Sequence, residues 1–346
     1  QPCDFAALCS ARHMQSAAKS HGWHLCWQHL CRALHPLIEQ ELILRSRTLS
    51  PIPTLAAASG DEQRILFAQL CNVLEPRAAV YFSSVNRDLR TATQKLLPQL
   101  RADHELATAL CLKLGMQSCK ELREAKKVQL RDKVLNAAEL ALLGTLGSVL
   151  PALETLSLQE PVRASSMPLE PASGPDGVQR MAAGLGAGAL PALTCLDLDR
   201  VHVGDAGALA LAAALGRGAL PRLKTLYLNG ASIGDAGLVA LAPALRRLPA
   251  LENLDLMGNP FGDKGLAALV APPLPAGAPP PPTGGLKKLT FIDLGATQIT
   301  DAALVTALVS GVLPALTDLC LGKNPDRAAA KDLLSIFRPD LEVMLA

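Results

Sequence analysis

Cysteine and histidine side chains are concentrated in the first 35 residues of this chain, and both are common metal ligands. Zinc sites usually pair two such residues closely and place a second pair about a dozen or more residues away. Close pairs occur here, but their distances to the remaining cysteines match no familiar zinc module. Trp23, Trp27, Leu30 and Leu34 instead fall on one face of a helix. The sequence therefore predicts an amphipathic helix with no bound metal or other cofactor. The residues concerned are Cys3, Cys9, His13, His21, His24, Cys26, His29, Cys31 and His35.

Four aspartates recur at one position in the second half of the chain, each just before an Ala- and Leu-rich stretch. They are Asp205, Asp235, Asp263 and Asp301. Repeated carboxylates would suit a catalytic ladder, or they would suit helix capping, in which a carboxylate accepts hydrogen bonds from a first helical turn. Capping alone explains the regular spacing. We therefore predict that each aspartate caps the helix that follows it, and that replacement by alanine costs about 0.5 to 2 kcal/mol.

The aspartates belong to a larger repeat that must position them. Each unit opens with a leucine, continues as a short strand pattern of alternating leucines, and ends in an apolar helical pattern. Neither half can bury its own apolar face, so the units must stack on one another. The leucines that open about six such units are Leu150, Leu190, Leu220, Leu248, Leu286 and Leu313.

This pattern resembles the leucine-rich repeat family, and the phrase GDxGxxxL resembles its ribonuclease-inhibitor-like subtype. The resemblance covers residues 150–346. It implies an α/β horseshoe with parallel strands on the concave side and helices on the convex side, preceded by an all-α amino-terminal region. Residues 120–143, as one helix, and residues 333–343 are predicted to cover its two ends. The family resemblance implies a protein scaffold; a Ran-type GTPase-activating protein is an alternative, because such activators resemble the same repeats.

Strand alternation decides which side chains reach the concave side. Where the leucines point inward, their neighbours must point outward, and these neighbours are rich in aspartate. The acidic strip predicts a protein partner with a basic surface, for which Tyr227 and Phe291 supply large anchors. An ordinary polar surface of a soluble protein is the alternative. The candidate partner-binding residues are Asp197, Asp199, Thr225, Tyr227, Asn229, Asp255, Met257, Phe291, Asp293 and Asp318.

The region before the repeats divides into a poorly defined segment at 1–60 and a helical domain at 61–149. Within the helical domain, an apolar helix followed by LEPRAAVYFSSVNRDLRTAT resembles the F-box. The resemblance implies docking on the adaptor of a cullin-based ubiquitin ligase, and a generic helical hairpin is the alternative. The residues that would dock are Leu70, Leu74, Pro76 and Val85.

Composition limits the remaining possibilities. The net charge of +2 divides between 18 basic and 13 acidic residues up to Val149 and 15 basic and 18 acidic residues after it, values too small to predict nucleic-acid binding. Nine scattered cysteines predict a reduced, intracellular protein, in the cytoplasm or the nucleus. No apolar run approaches the ~20 residues that span a bilayer, and no nucleotide-binding or catalytic motif occurs. We therefore predict no membrane partner and no enzyme activity.

Overall fold

The computed structural model describes residues 73–74, 76, 80, 97–130, 134–160, 176–270, 286–309, 313–322 and 328–345. The chain divides into two compact units, Gln1–His104 and Glu105–Ala346. In the first unit Leu74 is buried and Pro76 is half-buried. Leu70, Val85 and the cysteine- and histidine-rich segment lie outside the described residues, so the F-box-like and metal hypotheses stay predictions.

The described part of the second unit contains one sheet of eight parallel strands, hydrogen-bonded in chain order. Each strand is three residues long and separated from the next by one α-helix. The strands are β1 Lys127–Gln129, β2 Thr155–Ser157, β3 Cys195–Asp197, β4 Thr225–Tyr227, β5 Asn253–Asp255, β6 Phe291–Asp293, β7 Asp318–Cys320 and β8 Glu342–Met344.

Helices of successive repeats pack against one another along the sheet. Two further helices precede β1. The helices are α1 Leu97–Lys113, α2 Cys119–Glu124, α3 Ala137–Leu146, α4 Gly177–Gly184, α5 Gly204–Gly216, α6 Asp235–Leu245, α7 Asp263–Leu269, α8 Asp301–Val309 and α9 Ala328–Phe337.

The core is a ladder of apolar residues in register. The middle residue of every strand is buried, and the register places it beside the middle residue of the next strand. These residues are Val128, Leu156, Leu196, Leu226, Leu254, Ile292, Leu319 and Val343. Side-chain alternation in such short strands leaves the two flanking residues on the opposite face. The predicted α/β architecture of parallel strands alternating with helices is confirmed.

The sheet begins earlier than the sequence analysis predicted. Residues 120–143, predicted as one helix, contain the end of α2, strand β1 and the start of α3. Val128 and Leu130 are buried two residues apart, as in the later strands, and Val128 pairs with Leu156. The prediction of an all-α region before Leu150 was therefore wrong, because this alternation outweighs helical propensity.

A capping box starts the helix that follows β1. The Glu139 N–H donates to Oδ1 of Asn136 at 2.9 Å, and Oε2 of Glu139 accepts the Asn136 N–H at 2.8 Å. Such reciprocal bonds satisfy two backbone donors and fix the first residue of a helix. This local signal separates α3 from the strand before it.

The carboxy-terminal segment adds a strand as well as a helix. Leu334, Leu341 and Val343 are buried as predicted. The prediction that Leu333, Ile336 and Phe337 cover the end was wrong, since 44%, 70% and 57% of these residues are exposed. Only one face of α9 packs on the repeat before it, which leaves the opposite face in solvent.

Candidate protein-binding surface

The strands present side chains away from the leucine core, and we call this surface the open face. In β2 to β7 it consists of the first and third residue of each strand and the residue two positions further on. The register places Asp197, Tyr227, Asp255 and Asp293 side by side in one row. All ten candidate partner-binding residues lie on this face, as alternation predicted, and their role in binding stays a prediction.

Backbone amides of the same strands orient the three carboxylates of this row. In each case Oδ1 of the aspartate accepts the N–H of the residue two positions later, a turn that aspartate commonly forms. The distances are 3.0 Å from Asp199 N to Asp197, 2.9 Å from Met257 N to Asp255, and 2.7 Å from Gly295 N to Asp293. The chain itself therefore holds the carboxylates in place.

In two more hydrogen bonds, a carboxylate is the acceptor and the donor lies in a neighbouring repeat. The Ser157 hydroxyl donates to Oδ2 of Asp197 at 2.7 Å, and the Asn229 N–H donates to Oδ1 of Asp199 at 3.0 Å. Within the described residues, no Lys, Arg or His side chain forms an ion pair with an aspartate of the open face. The groups that donate hydrogen bonds to these carboxylates are therefore neutral, and the Arg200 charge acts on Asp199 without an ion pair.

Asp255 carries the largest electrostatic effect on the open face. Its pKa rises from 3.8 to about 6, chiefly because burial removes water from the carboxylate. The Met257 N–H lowers the pKa, whereas the charges of Asp293, Asp199 and Asp197 raise it further. Ionisation of Asp255 is thus less favourable than that of an aspartate in water, and a nearby cation would offset the difference.

Other titratable groups on the open face report the same environment. Burial raises the pKa of Asp199, of Tyr227 and of the Cys195 and Cys320 thiols, and neighbouring acidic groups raise it further. Backbone N–H groups lower the pKa at Asp199 and Cys320, and the Arg200 charge lowers it at Asp199. The Tyr227 hydroxyl therefore stays protonated at neutral pH and remains a hydrogen-bond donor. An aromatic ring with a donor tip, set between Asp197 and Asp255, suits contact with a cationic side chain.

Burial differs among the candidate residues. Tyr227, Met257 and Phe291 are half-buried, although alternation places all three at outward-pointing positions. Asp293 is only 8% exposed, because Gly295 and the Cys320 thiol lie against it. Its charge raises the pKa of Asp255, and a direct contact with a partner stays a prediction.

At the amino ends of the strands, basic and acidic side chains pair with each other. Just before the strands begin, Lys126 pairs with Glu154 at 3.1 Å and Lys224 pairs with Glu252 at 2.9 Å. Each pair joins neighbouring repeats. The excess of negative charge on the open face consequently lies toward the carboxyl ends of the strands.

Three of the repeated aspartates, Asp205, Asp235 and Asp263, act between repeats, which corrects the capping prediction for these three; for Asp301 it stays a prediction. Oδ1 of Asp205 accepts the N–H groups of Gly234 and Gly237 at 2.8 and 2.9 Å, at the start of α6 in the next repeat. The helix that Asp205 itself belongs to is α5. Stacking brings each carboxylate beside the following helix, so the aspartate caps that helix and not its own.

The second glycine of the repeated phrase makes this contact possible. Oδ1 of Asp235 accepts the N–H of Gly262 at 2.9 Å and of Gly265 at 2.7 Å. A Cβ on Gly265 would lie 2.9 Å from that oxygen. The role of this glycine was not predicted from the sequence. A glycine stands at this position in both repeats where the preceding aspartate accepts this N–H, at Gly237 and Gly265.

The last described step of this ladder uses threonine. Oδ1 of Asp263 accepts the Thr300 N–H at 2.6 Å, and its Oδ2 accepts the Thr300 hydroxyl at 2.8 Å. Ala303 occupies the place of the second glycine, and its N–H donates to the Thr300 hydroxyl at 3.3 Å. Asp301 lies in the first turn of α8.

The described residues show neither a metal site nor a membrane-spanning helix, and the cysteine- and histidine-rich segment lies outside them. No group of three or more His, Cys, Asp or Glu side chains in this part of the chain has the arrangement of a metal site. No helix among the same residues is long and apolar enough to cross a membrane.

Three stretches of the chain match a family model described as Leucine Rich repeat: residues 190–212, 220–242 and 248–270. Each stretch holds one strand, β3, β4 or β5, with part or all of the helix after it. The chain therefore contains leucine-rich repeats, and its fold is an α/β leucine-rich repeat solenoid, which suggests a protein–protein interaction module. A comparison with curated proteins finds no match.

Proposed function

We propose that the protein is a non-catalytic interaction scaffold that binds a protein partner with a basic surface on its open face. Asp197, Asp199 and Asp255 form the centre of the proposed contact, with Tyr227 among them. The observation that carries this proposal is the convergence of carboxylates from neighbouring repeats without an ion-paired cation in the described residues.

The electrostatics support a cationic ligand. The carboxylates repel one another in the unbound protein, and partial burial weakens screening by water. A lysine or arginine placed between Asp197 and Asp255 would offset this repulsion and form charge-assisted hydrogen bonds. Complementary charge of this kind increases the association rate and the specificity of binding.

The aromatic and apolar residues of the face support a protein as the ligand. Tyr227, Phe291 and Met257 come from three successive strands. Tyrosine is enriched among the residues that dominate binding energy at protein interfaces. Half-buried rings lose little conformational freedom on binding, which favours their use as anchors. Thr225, Asn229 and Asp318 add polar groups at the margin.

A charge-reversal pair tests the proposal. The full chain with Asp255→Lys is compared with Asp332→Lys, which makes the same charge change at an exposed position on α9. Each immobilised protein captures ligands from a cell lysate at about 150 mM salt, and quantitative mass spectrometry compares the captured sets. Thermal melting checks that both variants are folded.

We expect proteins with basic surfaces to be lost from Asp255→Lys, retained by Asp332→Lys, and released from the wild-type chain by about 500 mM salt. Identical captured sets for the two variants would place the binding surface elsewhere.

The ribonuclease-inhibitor-like subtype and an intracellular location, in the cytoplasm or nucleus, belong to the same proposal. An α-helix in every described repeat supports the subtype. Docking on a ubiquitin-ligase adaptor and activation of a Ran-type GTPase stay predictions from sequence, since no contact in the described residues favours either one.

A further inference from the structure

Two buried thiols face each other before the first strand of the sheet. Cys111 lies in the last turns of α1, and Cys119 is the first residue of α2. Their Sγ atoms are 3.8 Å apart, and the residues are 1% and 6% exposed. Both thiols are reduced, and the Cys111 thiol donates a weak hydrogen bond to the Cys119 sulfur, with no covalent bond between them.

We propose that Cys111 and Cys119 form a reversible disulfide when the protein meets a peroxide, so that this pair is a redox modification site. A disulfide bond is about 2.05 Å long. The two sulfurs, which are 3.8 Å apart, must therefore approach each other by less than about 2 Å. The shift falls on a short connection, because only five residues separate the two helices.

The connection between the helices is built to accept such a shift. Its turn is closed by the Gly115 N–H to the Leu112 carbonyl at 3.1 Å and the Met116 N–H to the Cys111 carbonyl at 2.8 Å. Gly115 has φ of +83°, a left-handed conformation that glycine adopts without strain, and no atom crowds it. Helix α2, which carries Cys119, has only six residues.

The environment assigns different roles to the two thiols. Burial, and then the neighbouring Cys119, raises the pKa of Cys111 to about 12. Cys111 is therefore protonated at neutral pH and is a poor first nucleophile. Cys119 is the more exposed of the two, so the proposal assigns it the reaction with the oxidant.

The reaction balances without a further reductant or oxidant. The Cys119 sulfur attacks one peroxide oxygen and the O–O bond breaks, giving a sulfenic acid and water. The Cys111 sulfur then attacks the Cys119 sulfur, the S–O bond breaks, and the hydroxide that leaves takes the Cys111 proton as a second water. Two thiols and one hydrogen peroxide thus give one disulfide and two waters.

The other two cysteines among the described residues serve as an internal comparison. Cys195 and Cys320 lie on β3 and β7, four strands apart in the sheet. At about 4.8 Å per strand they are separated by roughly 19 Å, far beyond the span of a disulfide. Both are half-buried, so peroxide should modify them singly without linking them.

Peptide mapping of the full chain tests the proposal. The folded, reduced protein is treated with hydrogen peroxide, remaining thiols are blocked with N-ethylmaleimide, and the protein is digested with trypsin. Cleavage after Arg101, Lys113 and Lys120 gives peptides 102–113 and 114–120, each with one cysteine. We expect these two peptides to appear as one species, lighter than their sum by two hydrogens, and dithiothreitol to separate them.

Controls make each outcome decisive. The same treatment in about 8 M urea should give little of the linked species, because unfolding removes the preorganised contact. The linked protein should melt about 3 to 6 °C higher than the reduced protein, and Cys119→Ala should abolish this shift. Recovery of both peptides blocked singly or oxidised to sulfinic acid, or linkage only in urea, would overturn the proposal.

Discussion

The carboxylate of Asp205 accepts the Gly237 N–H at 2.9 Å, and a Cβ on Gly237 would lie 2.5 Å from the same oxygen. The two residues belong to successive repeats. Asp205 therefore requires a glycine at position 237 in the next repeat. The repeated aspartate and glycine therefore stabilise the stacking of repeats, because the aspartate of one unit caps the helix of the next.

The double variant Asp205→Ala/Gly237→Ala should lose less stability than the sum of the losses in the two single variants. Asp205→Ala removes two hydrogen bonds to the start of α6 and should cost about 1 to 2 kcal/mol. Gly237→Ala places a methyl group against the carboxylate and should cost about 2 kcal/mol or more. In the double variant the methyl no longer meets the carboxylate, so we expect a coupling of about 1 kcal/mol. Chemical denaturation of the four proteins measures it, and strict additivity would contradict the contact.

Substitution of Asp255 should stabilise the protein at neutral pH. The folded-state pKa of about 6 exceeds the ordinary value of 3.8, so the folded protein holds this proton more tightly than the unfolded chain does. Its contribution is most favourable below pH 4 and is lost as the pH rises through 6. Asn keeps an oxygen for the Met257 N–H, and Asp255→Asn should gain about 1 to 2 kcal/mol at pH 7.5 after allowance for partial exposure.

The check is the difference in unfolding free energy between wild type and Asp255→Asn at several pH values. The difference should grow between about pH 4 and pH 6 and remain constant above pH 7. Asp332→Asn, exposed on α9, should show no such change. A difference that shrinks over the same range would mean that the carboxylate is stabilised by its surroundings.

The buried amide of Asn259 should contribute more to the free energy of unfolding than the side chains at the same position in other repeats. It is 1% exposed, donates to the Leu228 and Leu256 carbonyls at 2.8 and 2.9 Å, and accepts the Ile233 N–H at 2.9 Å. Asn259→Ala leaves these groups buried without a partner and should cost about 1 to 3 kcal/mol. Thr297→Ala, which removes a hydroxyl bond to the Leu294 carbonyl, is the matched variant and should cost less. Equal losses in thermal denaturation would argue against a special role for Asn259.

Backbone strain at one repeat position should respond in opposite directions to opposite substitutions. Ala296 has φ of +50°, and Gly258 has φ of +72° at the same position of the preceding repeat. The left-handed conformation costs a non-glycine residue about 1 to 2 kcal/mol, partly offset by the greater freedom of glycine in the unfolded chain. Ala296→Gly should therefore stabilise by about 0.5 kcal/mol and Gly258→Ala should destabilise by about 1 kcal/mol. Shifts of the same sign in thermal melting would refute this explanation.

Periodicity predicted the part of the fold that depends on repetition. The leucine triplets and the outward row through Asp197 and Asp255 follow from alternation within a strand, whereas the parallel order was expected from the resemblance to leucine-rich repeats. Strand β1 was missed because Lys127–Gln129 is short and lies between two helical patterns. Burial of Asp293 was also missed, since it depends on Gly295 and Cys320 packing against it. The pairing of Asp205 with Gly237 spans two repeats, and no local pattern specifies which helix a carboxylate reaches.

A titration with a synthetic peptide of nine arginines tests the central claim most directly, that the open face accepts cationic groups. Calorimetry at about 50 mM salt compares the full chain with its Asp255→Lys and Asp332→Lys variants, which have equal net charge. The account predicts a Kd at least about tenfold weaker for Asp255→Lys, equivalent to about 1.4 kcal/mol, with Asp332→Lys within about twofold of wild type. Equal affinities for the two variants would contradict it.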